Sequence, residues 1–134
     1  MVVDASVALA WAFDGEASDY SDAVLSAVGA EGMRVPILFH LEIGNALSIA
    51  LARGRITDAG ASAFTGDLGR LRIQVDPLTA EMALGATLHY ARRYRLSVYD
   101  AAYLELALRE GLPLATQDAA LVTVAKTLGM FYQP

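Results

Sequence analysis

The sequence predicts an α/β domain of three layers, with a central, mostly parallel sheet covered by helices on both faces. Short apolar runs, Met1–Val3, Met33–Val35, Leu71–Val75 and Leu114–Ala115, recur along the chain, and a polar residue or proline closes each one. Segments of helical periodicity separate them, the spacing expected of parallel strands joined by crossover helices. Residues suited to cap helices, Thr57, Thr79, Ser97 and Asp118, stand where several of these segments begin. At 134 residues the chain suits a single domain spanning 1–134, long enough for a sizeable core.

Taken in order, Met1–Val3 reads as a buried strand ending at Asp4, and Ala5–Phe13 as a short helix closed by the turn Asp14-Gly15-Glu16. Ala17–Ala30 is helical, with Tyr20, Val24, Ala27 and Val28 able to share a face. Met33–Val35 is the second strand, closed by Pro36. Leu38–Leu51 is apolar nearly all round, which predicts burial on most sides. Thr57 caps a helix running to about Leu68. Leu71, Ile73 and Val75 alternate with Arg72 and Gln74, a half-buried strand ended by Asp76-Pro77. Thr79 caps a longer helix to about Tyr94, with Arg92, Arg93 and Arg95 at the end where cations suit the dipole. Asp100 opens a helix that Gly111 and Pro113 end. The strand Leu114–Ala115, the helix Ala119–Leu128 and a short strand Met130–Tyr132 complete the chain.

The composition narrows the function classes. With 55% hydrophobic and 19% charged residues, the surface is expected to be covered in part by a twin subunit or another partner. No run reaches the roughly 18 apolar residues of a membrane span, so no membrane association is expected. The start of the chain lacks a basic n-region and carries Asp4, unlike a signal peptide. Absence of cysteine excludes disulfides and suits a cytoplasmic protein. A net charge of −5 disfavours nucleic acid on bulk electrostatics, leaving such binding to local Lys and Arg.

In an open parallel sheet, ligands sit beyond the carboxyl ends of the strands. Asp4 and Asp118 both follow strands and should emerge on one edge. Glu42 lies in an apolar helix, with Asn45 and Ser48 continuing a polar stripe, and neither helix end is expected close enough to explain it by capping. Asp100 begins a helix returning to the same region, so Asp4, Glu42, Asp100 and Asp118 are predicted to converge. Carboxylates that close repel and raise one another's pKa values, a conflict that a divalent cation removes. Oxygen donors without cysteine favour Mg2+ or Mn2+ over zinc. The chemistry such a set serves is metal-assisted attack of water on a phosphodiester, by one ion or two.

Each residue also has a plainer role. Ser97-x-x-Asp100 fits a capping box, Asp118 fits an N-cap, and Asp4 could close a turn with Ser6 as a local cap. Asn45 could bond within a buried interface, and Thr116 could be an ordinary turn hydroxyl. His40 and His89 have no metal-ligand spacing and read as surface or interface residues. Arg53, Arg55, Arg92, Arg93 and Arg95 read either as phosphate contacts or as solubilising helix-end charges. Trp11, Phe13, Phe39, Tyr99 and Tyr103 read as core or interface aromatics.

At these residues the sequence resembles the PIN-domain ribonucleases, in particular VapC-type toxins of toxin–antitoxin pairs. The segments that carry the resemblance are VVDASVALAW with Asp4 and Ser6, LEIGNAL with Glu42 and Asn45, VYDAAYLELAL with Asp100, and GLPLATQDAAL with Thr116 and Asp118. The stretch Ala52–Leu78 carries no signature of the family. The resemblance implies a Mg2+-dependent endoribonuclease that cuts tRNA or ribosomal RNA and is held inactive by a cognate antitoxin. It implies Asp4, Glu42, Asp100 and Asp118 as catalytic acids, with Asp4, Asp100 and Asp118 on the metal. Ser6, Asn45 and Thr116 would be further cofactor-binding groups. It also implies a homodimer that reaches DNA only through the antitoxin.

Other α/β folds with acidic pockets fit less well. A phosphoacceptor receiver would need adjacent acids after the first strand and a Lys after a late one, whereas Ala5 and Ser6 follow Asp4 and the only Lys, Lys126, lies inside the last helix. A haloacid-dehalogenase-like phosphatase would need Asp where Ser6 stands. A non-catalytic PIN-like regulatory or metal-binding module stays open at this point, although none of the four acids is missing.

Overall fold

The computed structural model describes residues 1–13 and 15–134; Asp14, the first residue of the turn expected after the opening helix, lies outside them. The strands are β1 (Val2–Val3), β2 (Met33–Val35), β3 (Ile73–Val75) and β4 (Leu114–Ala115), all parallel, in the order β3-β2-β1-β4. Val2 pairs with Arg34 on one side and Leu114 on the other, and Val3 pairs with Ala115. The chain therefore steps outward from β1 to β3 and then returns to the far side of β1, so the connection reverses between β1 and β4. Beyond β4 the expected last strand is a single parallel bridge, Leu114 to Phe131.

Helices α1 (Ala5–Ala10), α2 (Asp19–Glu31), α3 (Phe39–Ala52), α4 (Asp58–Leu68), α5 (Thr79–Met82), α6 (Leu88–Tyr94), α7 (Val98–Glu110) and α8 (Ala119–Thr127) flank this sheet. α1 packs on α2 and α3, while α7 packs on α5, α6, α8, β1 and β4. No helix among the described residues is long and apolar enough to cross a membrane. Sequence-predicted caps form at Thr57, which accepts from Gly60 N–H at 3.0 Å, and at Asp118, which accepts from Leu121 N–H at 2.9 Å. Such caps are worth about 1 kcal/mol each. Gly32 enters β2 at φ 79°, where a Cβ would stand 2.8 Å from the Arg72 carbonyl, so the close approach of these strands needs glycine.

Two expectations are corrected. The helix buried all round is α7, whose residues Ala101–Ala107 are consecutively buried, and not α3. α3 buries only the stripe Phe39, Ile43, Leu47 and Ala50, leaving Leu41 77% and Ile49 45% exposed. Hydrophobicity on every side of a helix does not distinguish a core helix from one with an apolar outer face. Thr79 is the first residue of α5 and not its cap; its hydroxyl donates to Asp76 Oδ2 at 3.0 Å and accepts from Ile37 N–H at 3.1 Å. The long helix expected up to Tyr94 forms, and a π-helical stretch, Ala83–Thr87, lies inside it between α5 and α6. Tyr99, expected in the core or at an interface, is 66% exposed and so lies outside the core.

At the far end of α6, Arg95 holds the left-handed conformation at φ 56°. That conformation costs a residue with a Cβ about 1–2 kcal/mol. Behind the sheet edge, Arg109 of α7 joins two buried carboxylates, Asp76 at 2.8 Å and Glu105 at 2.8 Å.

Candidate active site

β1 ends at Asp4, beside the point where the strand order reverses, which is where a parallel α/β sheet opens a crevice for ligands. The Asp4 backbone N–H donates to the Ala115 carbonyl at 2.9 Å and fixes the residue against the end of β4. Asp4 occupies the N-cap position of α1, yet its side chain makes no cap bond. Its Oδ2 instead accepts from the Ser6 and Thr116 hydroxyls, the latter at 2.8 Å across 112 residues of sequence. Those hydroxyls are themselves held by backbone donors, Gln117 N–H on Ser6 Oγ at 3.0 Å and Asp118 N–H on Thr116 Oγ1 at 3.1 Å.

Glu42 faces the same group from α3. It lies in the first turn of that helix, contrary to the expectation that no helix end stands near it. The positive end of the helix dipole thus favours its charge. The Tyr103 hydroxyl, from the fully buried middle of α7, donates to Glu42 Oε2. Asp100 is the third residue of α7, whose N-cap is Ser97. Its backbone N–H donates to Ser97 Oγ at 3.0 Å, and its Oδ2 accepts from the same hydroxyl at 2.7 Å. Ser97 therefore does the capping, and the carboxylate of Asp100 satisfies no backbone donor among these bonds.

The electrostatics tie three of the acids together. Burial pushes the Asp4 carboxyl above its ordinary pKa; the Ser6 and Thr116 hydrogen bonds pull it back, and the nearby Asp100 charge adds to the rise. Burial also raises Glu42, opposed by the Tyr103 hydroxyl and reinforced by the charges of Asp4 and Asp100. Tyr103 is raised as well, by burial and by Glu42. Tyr20, at the edge of the group, is pushed up to about 12 by burial.

The site residues expected from sequence fall into three groups. Asp4, Ser6, Thr116, Glu42 and Asp100 come together. Asp118 joins through its backbone N–H to Thr116, while its carboxylate caps α8. Asn45 is exposed on α3. Sequence reasoning missed Tyr103 as the partner of Glu42, although it stands three residues after Asp100, and missed Tyr20. Only Tyr103 offered a signal, a phenol inside an apolar run.

The donor set suits a hard divalent cation in type and charge, being carboxylates and hydroxyls whose mutual repulsion a cation would relieve. Among the described residues, no three of His, Cys, Asp or Glu converge closely enough to hold one ion as they stand. The arrangement is thus an acidic pocket with matched oxygen chemistry rather than a closed coordination cage.

Comparison with known proteins fits this geometry. The family model described as PIN domain matches residues 1–127. No curated protein matches the chain. Among solved structures, the chain is similar to the crystal structure of PAE2754 from Pyrobaculum aerophilum, with 31% sequence identity and a TM-score of 0.67 over 91% of this chain and 76% of that one.

Proposed function

This chain belongs to the PIN-domain family, and on that premise we propose that it is a metal-dependent endoribonuclease toxin that hydrolyses phosphodiester bonds of tRNA or ribosomal RNA. The observation that carries the reading is Asp4: a 4% exposed carboxylate at the reversal of strand order, held by two hydroxyls and facing the charges of Glu42 and Asp100. An acid so placed costs stability unless something binds it.

Asp4, Asp100 and Asp118 would hold Mg2+, with Mn2+ able to replace it, while Ser6, Asn45 and Thr116 complete the surroundings. When bound, such an ion supplies charge neutralisation on the phosphoryl group and a lowered pKa for its water. Ser6 and Thr116 fix the direction of Asp4 Oδ2. Tyr103 occupies Glu42 Oε2, leaving Oε1 to take the proton of the attacking water. The water oxygen bonds to phosphorus, the bond to the leaving ribose oxygen breaks, and that oxygen takes up a proton from solvent, to which Glu42 later returns its own.

A cognate antitoxin and a second copy of the chain are the expected partners, with DNA reached only through the antitoxin and the site of action cytoplasmic. The exposed side chains of Ile37, Leu41, Leu84 and Tyr99 are apolar surface available to such a partner.

The test incubates purified protein with total tRNA and ribosomal RNA, with Mg2+ or with chelator, beside Asp4→Asn and Asp100→Asn. Cleavage is expected only for the unaltered chain with Mg2+; cleavage that persists in chelator or in both variants defeats the mechanism. A second reading is a non-catalytic PIN-like metal-binding or regulatory module, and the spread of the acids among the described residues favours its regulatory form. It predicts RNA left uncut, with metal bound or not.

A further inference from the structure

The chain carries ten Lys and Arg residues against fifteen Asp and Glu, yet its positive charge is not spread evenly. From Met82 to Tyr99 there is no acidic residue, and Arg92, Arg93 and Arg95 all fall within this stretch. All three are exposed, and among the described residues none forms an ion pair, whereas Arg34, Arg55, Arg70 and Arg109 do. A helix dipole is served by one or two cations in the last turn, so it does not account for the whole group.

Shape and backbone add to the charge. Gly85, Leu88, His89, Arg92 and Arg93 line an open groove of about 600 Å³ on the outer face of α6. The groove begins at the π-helical stretch Ala83–Thr87, an irregularity found mostly at functional sites. The Arg93 guanidinium lies 5.6 Å from the centre of the Tyr94 ring, which packs with Tyr90 against the core and braces this face of the helix. Arg95, at φ 56°, takes a place where glycine would fit with less strain. A costly arginine with its charge unpaired is understandable if the charge has a ligand. Arg95 lies five residues before Asp100, so the two Cα atoms are at most about 18 Å apart, within reach of one short stretch of nucleic-acid strand.

We propose that the α6 groove, with Arg92, Arg93 and Arg95, binds the phosphodiester backbone of single-stranded RNA as it leaves the acidic pocket. The proposal rests on the nuclease reading for the identity of the strand. It accounts for how a chain of net charge −5 engages a polyanion: a groove with no acid among its lining residues, separate from the acidic pocket, supplies the phosphate contacts.

The test measures binding rather than cleavage. Fluorescence anisotropy of a labelled single-stranded RNA is followed in chelator across a series of salt concentrations. Each phosphate contact contributes about −0.7 to the slope of log K against log salt. The pair Arg92→Ala/Arg93→Ala is expected to lose about 1.4 of that slope, and Arg95→Gly about 0.7 with an unchanged or higher Tm. Arg53→Ala, on a different helix end, is expected to leave the slope as it was. Unchanged slopes in the groove variants overturn the proposal. So does an absence of RNA binding by the unaltered chain, or equal displacement of RNA by a polyglutamate peptide, which would mark the groove as a site for an acidic protein. A chain whose binding depends on these arginines but which leaves RNA uncut in Mg2+ defeats the nuclease reading alone.

Discussion

Two groups of buried acids stand in this fold, and the protein treats them in opposite ways. Asp76 and Glu105 are 7% and 4% exposed, and both are bound to Arg109, which also reaches Glu110. The guanidinium is held in its charged form, above its ordinary pKa, by Glu105 first and then by Asp76. Asp4 is as deeply buried as Glu105, but its partners are neutral hydroxyls, and the charges near it and Glu42 are negative. The first group needs nothing from outside and ties α7 to the loop after β3. The second is left with a repulsion that no cation of this chain relieves among the described residues. Paired acids of this kind are structural; acids kept together without a counter-charge point to a ligand that brings one.

Three changes would break or sharpen that contrast. The largest effect is expected from Arg109→Ala, which leaves two carboxylates buried and uncompensated at a cost of about 3–5 kcal/mol. Urea denaturation measures it, and a loss under about 1 kcal/mol would mean that the cluster is no more than a surface pair. Next, Tyr103→Phe removes the hydroxyl that steadies Glu42 and favours its ionised form. The rate of RNA cleavage in Mg2+ should fall about 10- to 100-fold, because Glu42 loses the bond that orients it as the base. The accompanying stability loss should be about 1 kcal/mol. Full retention of the rate would separate Glu42 from the reaction.

The smallest effect concerns pH. Asp4 and Glu42 have folded-state pKa values above their ordinary ones, so between the ordinary and raised values the native state binds more protons than the unfolded state. Stability must therefore fall as pH rises through that window, with the penalty absent below the ordinary carboxylate pKa and complete above the raised one. Glu42→Gln should then raise Tm at neutral pH, match the unaltered protein near pH 3, and lose its advantage when Mg2+ is added. A marked fall in Tm at neutral pH would instead give Glu42 a structural role.

Much of this was legible in the residues. β2 and β4 lie where the sequence put them, Thr57 and Asp118 cap as expected, and the four βα boundaries follow from punctuation by Asp and Pro. The acidic pocket was partly legible: Asp4, Glu42 and Asp100 could be singled out by residue type and by position at strand or helix ends. Whether the Asp118 carboxylate is a ligand as well as a cap was not, because the two roles have the same local signature. Arg109 gave no sign of its role, since an arginine near the end of a helix is ordinary and its partner Asp76 lies 33 residues away.

By itself, then, the sequence determined the alternation of strands and helices, the parallel sheet and the oxygen chemistry of the pocket, because periodicity, caps and side-chain type act over a few residues. Only the tertiary structure decided that α7 rather than α3 fills the core, that Tyr103 holds Glu42 and Thr116 holds Asp4, and that Arg109 neutralises one acid group and not the other. Those outcomes depend on which helix the sheet covers and on contacts spanning 61 and 112 residues, which no local pattern encodes.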